Sequence, residues 1–330
     1  MAEPRQPIHP DIVARLDPEY VAFHNAHLIN LPPTHTIAWD PAIRNGPAVP
    51  GGSEPLEVAS TRDYPVKNCQ VRVFTPKGSP PAGGWPVFIF FHGGGWTLGN
   101  IGSETAFATN MAVHGKAVVV SVDYRLGPEQ PYPAAVEDAV DVLQWVYSEG
   151  QSTLGIDTAR IAVGGSSSGG NLAAVLTLKA AQASPPIPLV FQLLIVPVTD
   201  NTASVSDTRY PSWKENENTP WLAPARMLWF RGNYLTKAED YKHPDASPMY
   251  APKELLAKTP KAWIAVCEID ILRDEGITYG SKLKEAGVDV EVNVYKGAPH
   301  PVMAMDGVLA IGRQLVAEAG KALADAFGNA

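Results

Sequence analysis

Short runs rich in β-branched and aromatic residues alternate along most of the chain with longer stretches of helical period. That alternation admits few architectures, because each strand must pair beside its neighbours while each helix buries one stripe on the sheet they form. The runs are Val71 to Thr75, Val87 to Phe91, Ala117 to Val122, Arg160 to Gly164, Leu189 to Val196, Trp263 to Cys267 and Val290 to Tyr295. Between them, Ala134 to Ser148 carries Val136, Val140, Leu143 and Tyr147 at helical steps, and Met303 to Phe327 does so with Val308, Ile311, Leu315, Ala319 and Leu323. The pattern predicts an α/β protein with a mostly parallel central sheet and helices on both faces.

Two stretches interrupt the alternation. Residues 1 to about 50 hold a helical segment, Asp11 to Leu28, broken at Pro18 and followed by a proline-rich connector; Asn201 to about Pro248 holds Trp213, Trp221, Trp229 and Phe230 and a helix from about Pro224 to Leu235. Either set of aromatics suits the core of a surface excursion, and together they suit a lid. A length of 330 residues accommodates one large domain with such additions.

Composition removes several classes of function. With 45% apolar and 18% charged residues the chain is no disordered protein. A net charge of −8 without a dense Lys/Arg run speaks against nucleic-acid partners. Cys69 and Cys267 are too few and too far apart for a disulfide framework or a zinc cluster, which fits a reducing compartment. The opening Met1-Ala2-Glu3-Pro4-Arg5-Gln6-Pro7 lacks an apolar core, and the longest near-apolar run, Leu189 to Val198, is about half a membrane span. A cytoplasmic protein with no membrane span is expected.

The chemistry concentrates at strand ends. Arg160 to Val163 runs into Gly164-Gly165-Ser166-Ser167-Ser168-Gly169-Gly170 and then into a helix-favouring stretch from Leu172. A serine held on a tight strand-to-helix turn needs glycine two residues before and two after it, and only Ser167 meets that condition. The amide of Ser168, at the helix N-terminus, is placed to donate to an oxyanion. The strand ending at Phe91 passes into His92-Gly93-Gly94-Gly95-Trp96, whose glycines free the amides of Gly94 and Gly95 for the same task. A phosphate-cradling loop is the alternative, but neither G-x-x-x-x-G-K nor G-x-G-x-x-G is present. An acid and a histidine must follow in that order. Asp270 lies just past the strand Trp263 to Cys267, with Glu268 as a second candidate acid, and His300 lies just past the strand Val290 to Tyr295. Each stands where open α/β sheets bind ligands.

With these segments in hand, the sequence resembles the hormone-sensitive-lipase branch of the α/β-hydrolase carboxylesterases over nearly its whole length. The matching residues are His92 to Trp96, Tyr124-Arg125-Leu126 with Pro128-Glu129 and Pro131 to Ala134, the serine turn, and Asp270 with Leu272-Arg273-Asp274-Glu275-Gly276. Ser166, Ser168, Ile271, Gly127, Gln130 and Pro301 depart from the family's usual residues, so the subgroup stays open. The resemblance implies an α/β-hydrolase fold with a helical cap. It divides the chain into residues 1–50 and 201–248 as the two parts of the cap, and 51–200 and 249–330 as the catalytic domain. It also implies no metal, no organic cofactor, and a homodimer as a frequent arrangement.

The expected activity is serine carboxylesterase on short- to medium-chain acyl esters, with Ser167, Asp270 and His300 as triad and Gly94, Gly95 and Ser168 as oxyanion hole. An amidase, formamidase or lactone hydrolase with the same triad is the alternative, and a non-catalytic small-molecule receptor the remoter one. Trp96, Trp213, Trp221, Trp229 and Phe230 are expected to wall an apolar pocket without a basic clamp for charged substrates.

Overall fold

The computed structural model describes residues 5–46, 49–300 and 302–329. Along the chain, α1 (Pro10–Val13) and α2 (Pro18–Phe23) precede β1 (Ser60–Val66), β2 (Cys69–Thr75) and β3 (Trp85–Phe91). There follow α3 (Thr105–His114), β4 (Val118–Asp123), α4 (Ala134–Leu154), β5 (Ile156–Ser166), α5 (Ser168–Gln182) and β6 (Phe191–Ile195). Beyond β6 come α6 (Ser212–Glu215), α7 (Pro224–Tyr234), α8 (Lys253–Leu256), β7 (Lys261–Ile269), α9 (Arg273–Glu285), β8 (Val290–Pro299) and α10 (Ala310–Ala326).

The strands form one eight-stranded sheet in the order β1-β2-β4-β3-β5-β6-β7-β8, with β1–β2 and β2–β4 antiparallel and every other pair parallel. Side chains alternate across it with the period of two that a pleated strand imposes. Val87, Ile89 and Phe91 of β3 join a core with α4, α5 and α9, whereas Phe88 and Phe90 join a core with α3 and α10. All seven residues of β3 are buried, as a central parallel strand requires. The chain is thus an α/β-hydrolase fold with both faces of its sheet covered.

Three features differ from the sequence reading. β1 was not anticipated, because its alternation is polar and mostly exposed and Pro65 demotes it, a combination compatible only with an edge strand. The last helix begins at Ala310 rather than near Met303. Before it, Val302–Met305 forms a single 3-10 turn, and Asp306 accepts hydrogen bonds from the Ser53 amide (2.8 Å) and hydroxyl (2.6 Å). Those bonds to the connector, together with Gly307 closing on the Gly51 carbonyl, draw the chain off the helix axis and leave Val308 exposed. In α4 the buried stripe runs through Ala135, Ala139, Val142 and Val146, so Tyr147 faces solvent.

The two excursions from the sheet meet each other. Arg15 reaches Glu215 (2.9 Å) and the Asn216 side-chain oxygen (2.9 Å), the rings of Trp39 and Trp229 lie 5.9 Å apart, and the turn Thr34–Thr36 packs on α7. Arg44 ties the first excursion to the sheet's loops by donating to the carbonyls of Thr97 and Gly127, both at 2.8 Å. Among the described residues, no helix is long and apolar enough to cross a membrane.

Candidate active site

β5 ends at Ser166 and α5 begins at Ser168, leaving Ser167 alone to turn the chain, with φ 54° and ψ −113°. A non-glycine residue in that region is strained, and such strain persists only where the surroundings over-determine it. Here they do so by lack of space. A Cβ on Gly169 would lie 2.0 Å from the Phe91 carbonyl oxygen, and one on Gly165 would lie 2.4 Å from the Gly169 carbonyl carbon. Helix and strand therefore pack at backbone contact, and the Ser167 amide donates to the Ile195 carbonyl at 2.8 Å.

The two groups brought to Ser167 come from the ends of two further strands. His300 directly follows β8 and Asp270 directly follows β7. Ser167 Oγ stands 2.9 Å from His300 Nε2, and His300 Nδ1 stands 2.7 Å from Asp270 Oδ2. Asp270 is buried and also accepts from the Leu272 amide at 3.0 Å, which fixes its carboxylate. Glu268 points elsewhere: it accepts from the Gly297 amide (2.8 Å) and pairs with Lys296. Asp270, not Glu268, is the acid brought to the histidine. Pro301 lies outside the described residues.

After β3, Gly94 (φ 120°) and Gly95 (φ 61°) turn through conformations open to glycine, and a Cβ on Gly95 would fall 2.2 Å from the Phe230 ring. Among the described residues no acceptor engages the amides of Gly94 or Gly95, and the Ser168 amide is free at the start of α5. Amides without an acceptor are what stabilising an anion beside the serine turn would demand.

Sequence reasoning missed the groups that hold this loop in place. Glu104 accepts from the Ser166 hydroxyl at 2.7 Å and from the Gly93 amide at 3.3 Å, joining the loop to the serine turn. Burial pushes its carboxyl up to about 7 against those two bonds, which pull it down. His92 Nδ1 donates to the Gly93 carbonyl at 2.6 Å, its ring stacks on Tyr124, and burial pushes its pKa down to about 4. The Tyr124 hydroxyl donates to the His92 carbonyl at 2.8 Å, and Arg125 pairs with buried Asp138, which accounts for the Tyr-Arg pair in the sequence. The one available signal for Glu104 was Ser166, a hydroxyl next to the nucleophile position that needs an acceptor when buried.

The five aromatics separate into two groups. Trp96 and Trp213 have no exposed surface: Trp96 stacks on Tyr234 at 4.3 Å, and Trp213 donates to Glu275 at 3.1 Å. Both belong to the core, because α6 and α7 fold back onto α9 and the glycine loop. Phe230 lies on Gly95, while Trp221 and Trp229 are half-buried. Of the five, these three remain the candidates for a pocket wall, and Trp221 and Phe230 flank a buried guanidinium, Arg226, that the sequence reading did not foresee.

Residues 88–304 match the family model described as the alpha/beta hydrolase fold. The chain belongs to the α/β-hydrolase family. Within it the sequence falls in the hormone-sensitive-lipase-like branch. An AB hydrolase superfamily protein of Schizosaccharomyces pombe is 48% identical, with 97% of each chain covered. Esterase LipI of Mycobacterium tuberculosis is 39% identical, with 81% of each covered. Among solved structures, a thermostable esterase from Pseudomonas putida superposes on this α/β-hydrolase with a TM-score of 0.81 at 33% identity, covering 94% of this chain and 98% of that one.

Proposed function

We propose that this esterase is a serine carboxylesterase acting on short- to medium-chain acyl esters through an acyl-enzyme. The observation that carries the reading is the unbroken path from Ser167 Oγ through His300 to Asp270, at 2.9 and 2.7 Å. His300 Nε2 takes the Ser167 proton as the hydroxyl attacks the ester carbonyl. The amides of Gly94, Gly95 and Ser168 receive the charge that develops on the carbonyl oxygen. His300 then gives the proton to the departing alcohol, and water repeats the sequence on the acyl-enzyme. Asp270 fixes the tautomer that leaves Nε2 free to accept and stabilises the imidazolium without taking the proton.

The acyl-length preference is supported by the aromatic roof, where Phe230 lies against the glycine loop and the Trp229 ring lies 5.0 Å from that of Phe230. Steady-state hydrolysis of p-nitrophenyl esters from acetate to decanoate by wild type and Ser167→Ala tests both parts. Turnover should peak among the shorter chains and fall by on the order of 10⁴ to 10⁶ in the variant. Undiminished turnover in a folded Ser167→Ala protein removes the assignment.

A further inference from the structure

Arg226 stands in the first turn of α7, is 8% exposed, and among the described residues is a buried cation without an anion. Among the described residues its one hydrogen bond runs from Nη1 to the Trp221 carbonyl at 3.1 Å, and its buried Nε has no acceptor. The second buried arginine of α7, Arg231, differs, because Glu275 and Asp200 place negative charge near it. Among the described residues Arg226 has no such neighbour, and burial pushes its pKa down to about 10. A desolvated, unpaired guanidinium is among the costlier groups a fold can hold, and it gains a great deal from an anion that enters its hydrogen-bonding plane.

Its position says where that anion would come from. The guanidinium carbon lies 4.9 Å from the Trp221 ring centre and 5.6 Å from that of Phe230. Phe230 rests on Gly95, the glycine-loop side of the site. Trp221 follows a segment tied to the strand end that carries the acid, since Thr219, two residues before it, donates to the Ile269 carbonyl next to Asp270, and Asn216 donates to the Asp270 carbonyl. The cation therefore sits between an aromatic ring that rests on the glycine loop and one that follows residues anchored to the chain around Asp270. His35 on the packed turn Thr34–Thr36 adds a second buried, unpartnered polar atom, Nδ1, close enough for the Arg226 charge to hold its pKa down along with burial.

We propose that Arg226, with His35 beside it, receives a carboxylate carried by the substrate, so that the preferred substrates are esters bearing one remote carboxylate, such as half-esters of dicarboxylic acids. The proposal rests on the esterase reading and narrows it. The reaction itself is unchanged: one ester bond is hydrolysed to acid and alcohol, and the second carboxylate takes no part in the chemistry.

Two matched pairs, followed by pH-stat at constant ionic strength, test it: monomethyl glutarate against methyl hexanoate, with the charge on the acyl side, and 4-acetoxybutanoate against pentyl acetate, with the charge on the alcohol side. For one pair, kcat/KM should be at least about tenfold higher for the charged ester. The pair that shows the preference fixes which side of the scissile bond faces the roof. Arg226→Met should collapse that ratio to one or below, and Arg226→Lys should retain part of it. Free glutarate should inhibit p-nitrophenyl butyrate hydrolysis competitively in wild type, whereas 1,5-pentanediol should not. This keeps the proposal testable if the methionine variant fails to fold. Ratios at or below one for both pairs in an otherwise active wild type overturn the carboxylate site and leave the esterase standing. Failure of the folded wild type to hydrolyse any ester removes both.

Discussion

The floor and the roof of this site are held by different physics. The floor consists of backbone: four strand ends, glycines at van der Waals limits, a serine in a strained turn, and amides without acceptors. The roof consists of side chains from two stretches far apart in sequence, joined by Arg15 to Glu215 and by Trp39 to Trp229. Backbone geometry tolerates almost no substitution because no rotamer change can relieve a clash with a carbonyl. A roof of side chains can be altered residue by residue, so the floor fixes the reaction and the roof is where substrate choice can vary.

The comparison can be broken at its strongest point first. Asp270→Asn should lower kcat by on the order of 10⁴, because the amide favours the wrong histidine tautomer, whereas Glu268→Gln should change it less than about threefold; equal losses would mean the acid is misassigned. Gly169→Ala comes next. Its Cβ has nowhere to go, and urea denaturation should show a loss of at least about 4 kcal/mol or no folded protein at all.

The floor should also betray itself in acid. His92 stays neutral when folded down to about pH 4, while its unfolded counterpart binds a proton below about 6.5. Stability is then lost as pH falls through that window, by up to about 3 kcal/mol. Glu104 works in the opposite sense, since its carboxyl, raised to about 7 by burial, binds a proton in the folded state first and gains stability as pH falls from 7 toward 4.5. Urea midpoints between pH 7 and 4.5 should therefore fall more steeply in Glu104→Gln than in wild type and more gently in His92→Asn. Identical slopes in all three would show that neither group is held as described. The smallest effect belongs to the roof. Gly232, exposed in α7 with open space around it, should become more stable by about 0.5 to 1 kcal/mol as alanine, the reverse of Gly169.

The same division explains what the sequence disclosed. The elbow at Ser167, the glycine loop, and Asp270 and His300 could be read because backbone geometry dictates residue type at fixed offsets: glycine two places either side of a turn, an acid or base one place past a strand. Ser60 to Val66 was invisible because an edge strand with one face open and the other covered only around Tyr64 and Val66 carries no apolar alternation. Glu104 and Arg226 were invisible for another reason. Each is defined by what lies beside it in space, a loop 11 residues away in one case and a pair of aromatic rings in the other, and no spacing rule connects such partners. The tryptophans show the limit from the other side, since composition marks them as buried but only packing separates Trp96 and Trp213, in the core, from half-buried Trp221 and Trp229.

The stitching of the roof also bears on how the chain is made. Trp39 leaves the ribosome 190 residues before its partner Trp229. At roughly 5 to 20 residues per second, the first excursion waits about 10 to 40 seconds with its aromatic face uncovered, while the first six strands and the serine turn become available to pair. During synthesis the aromatic face around Trp39 is therefore made long before its cover, and a chaperone that held this stretch until α7 emerges would shield Trp39 through that interval.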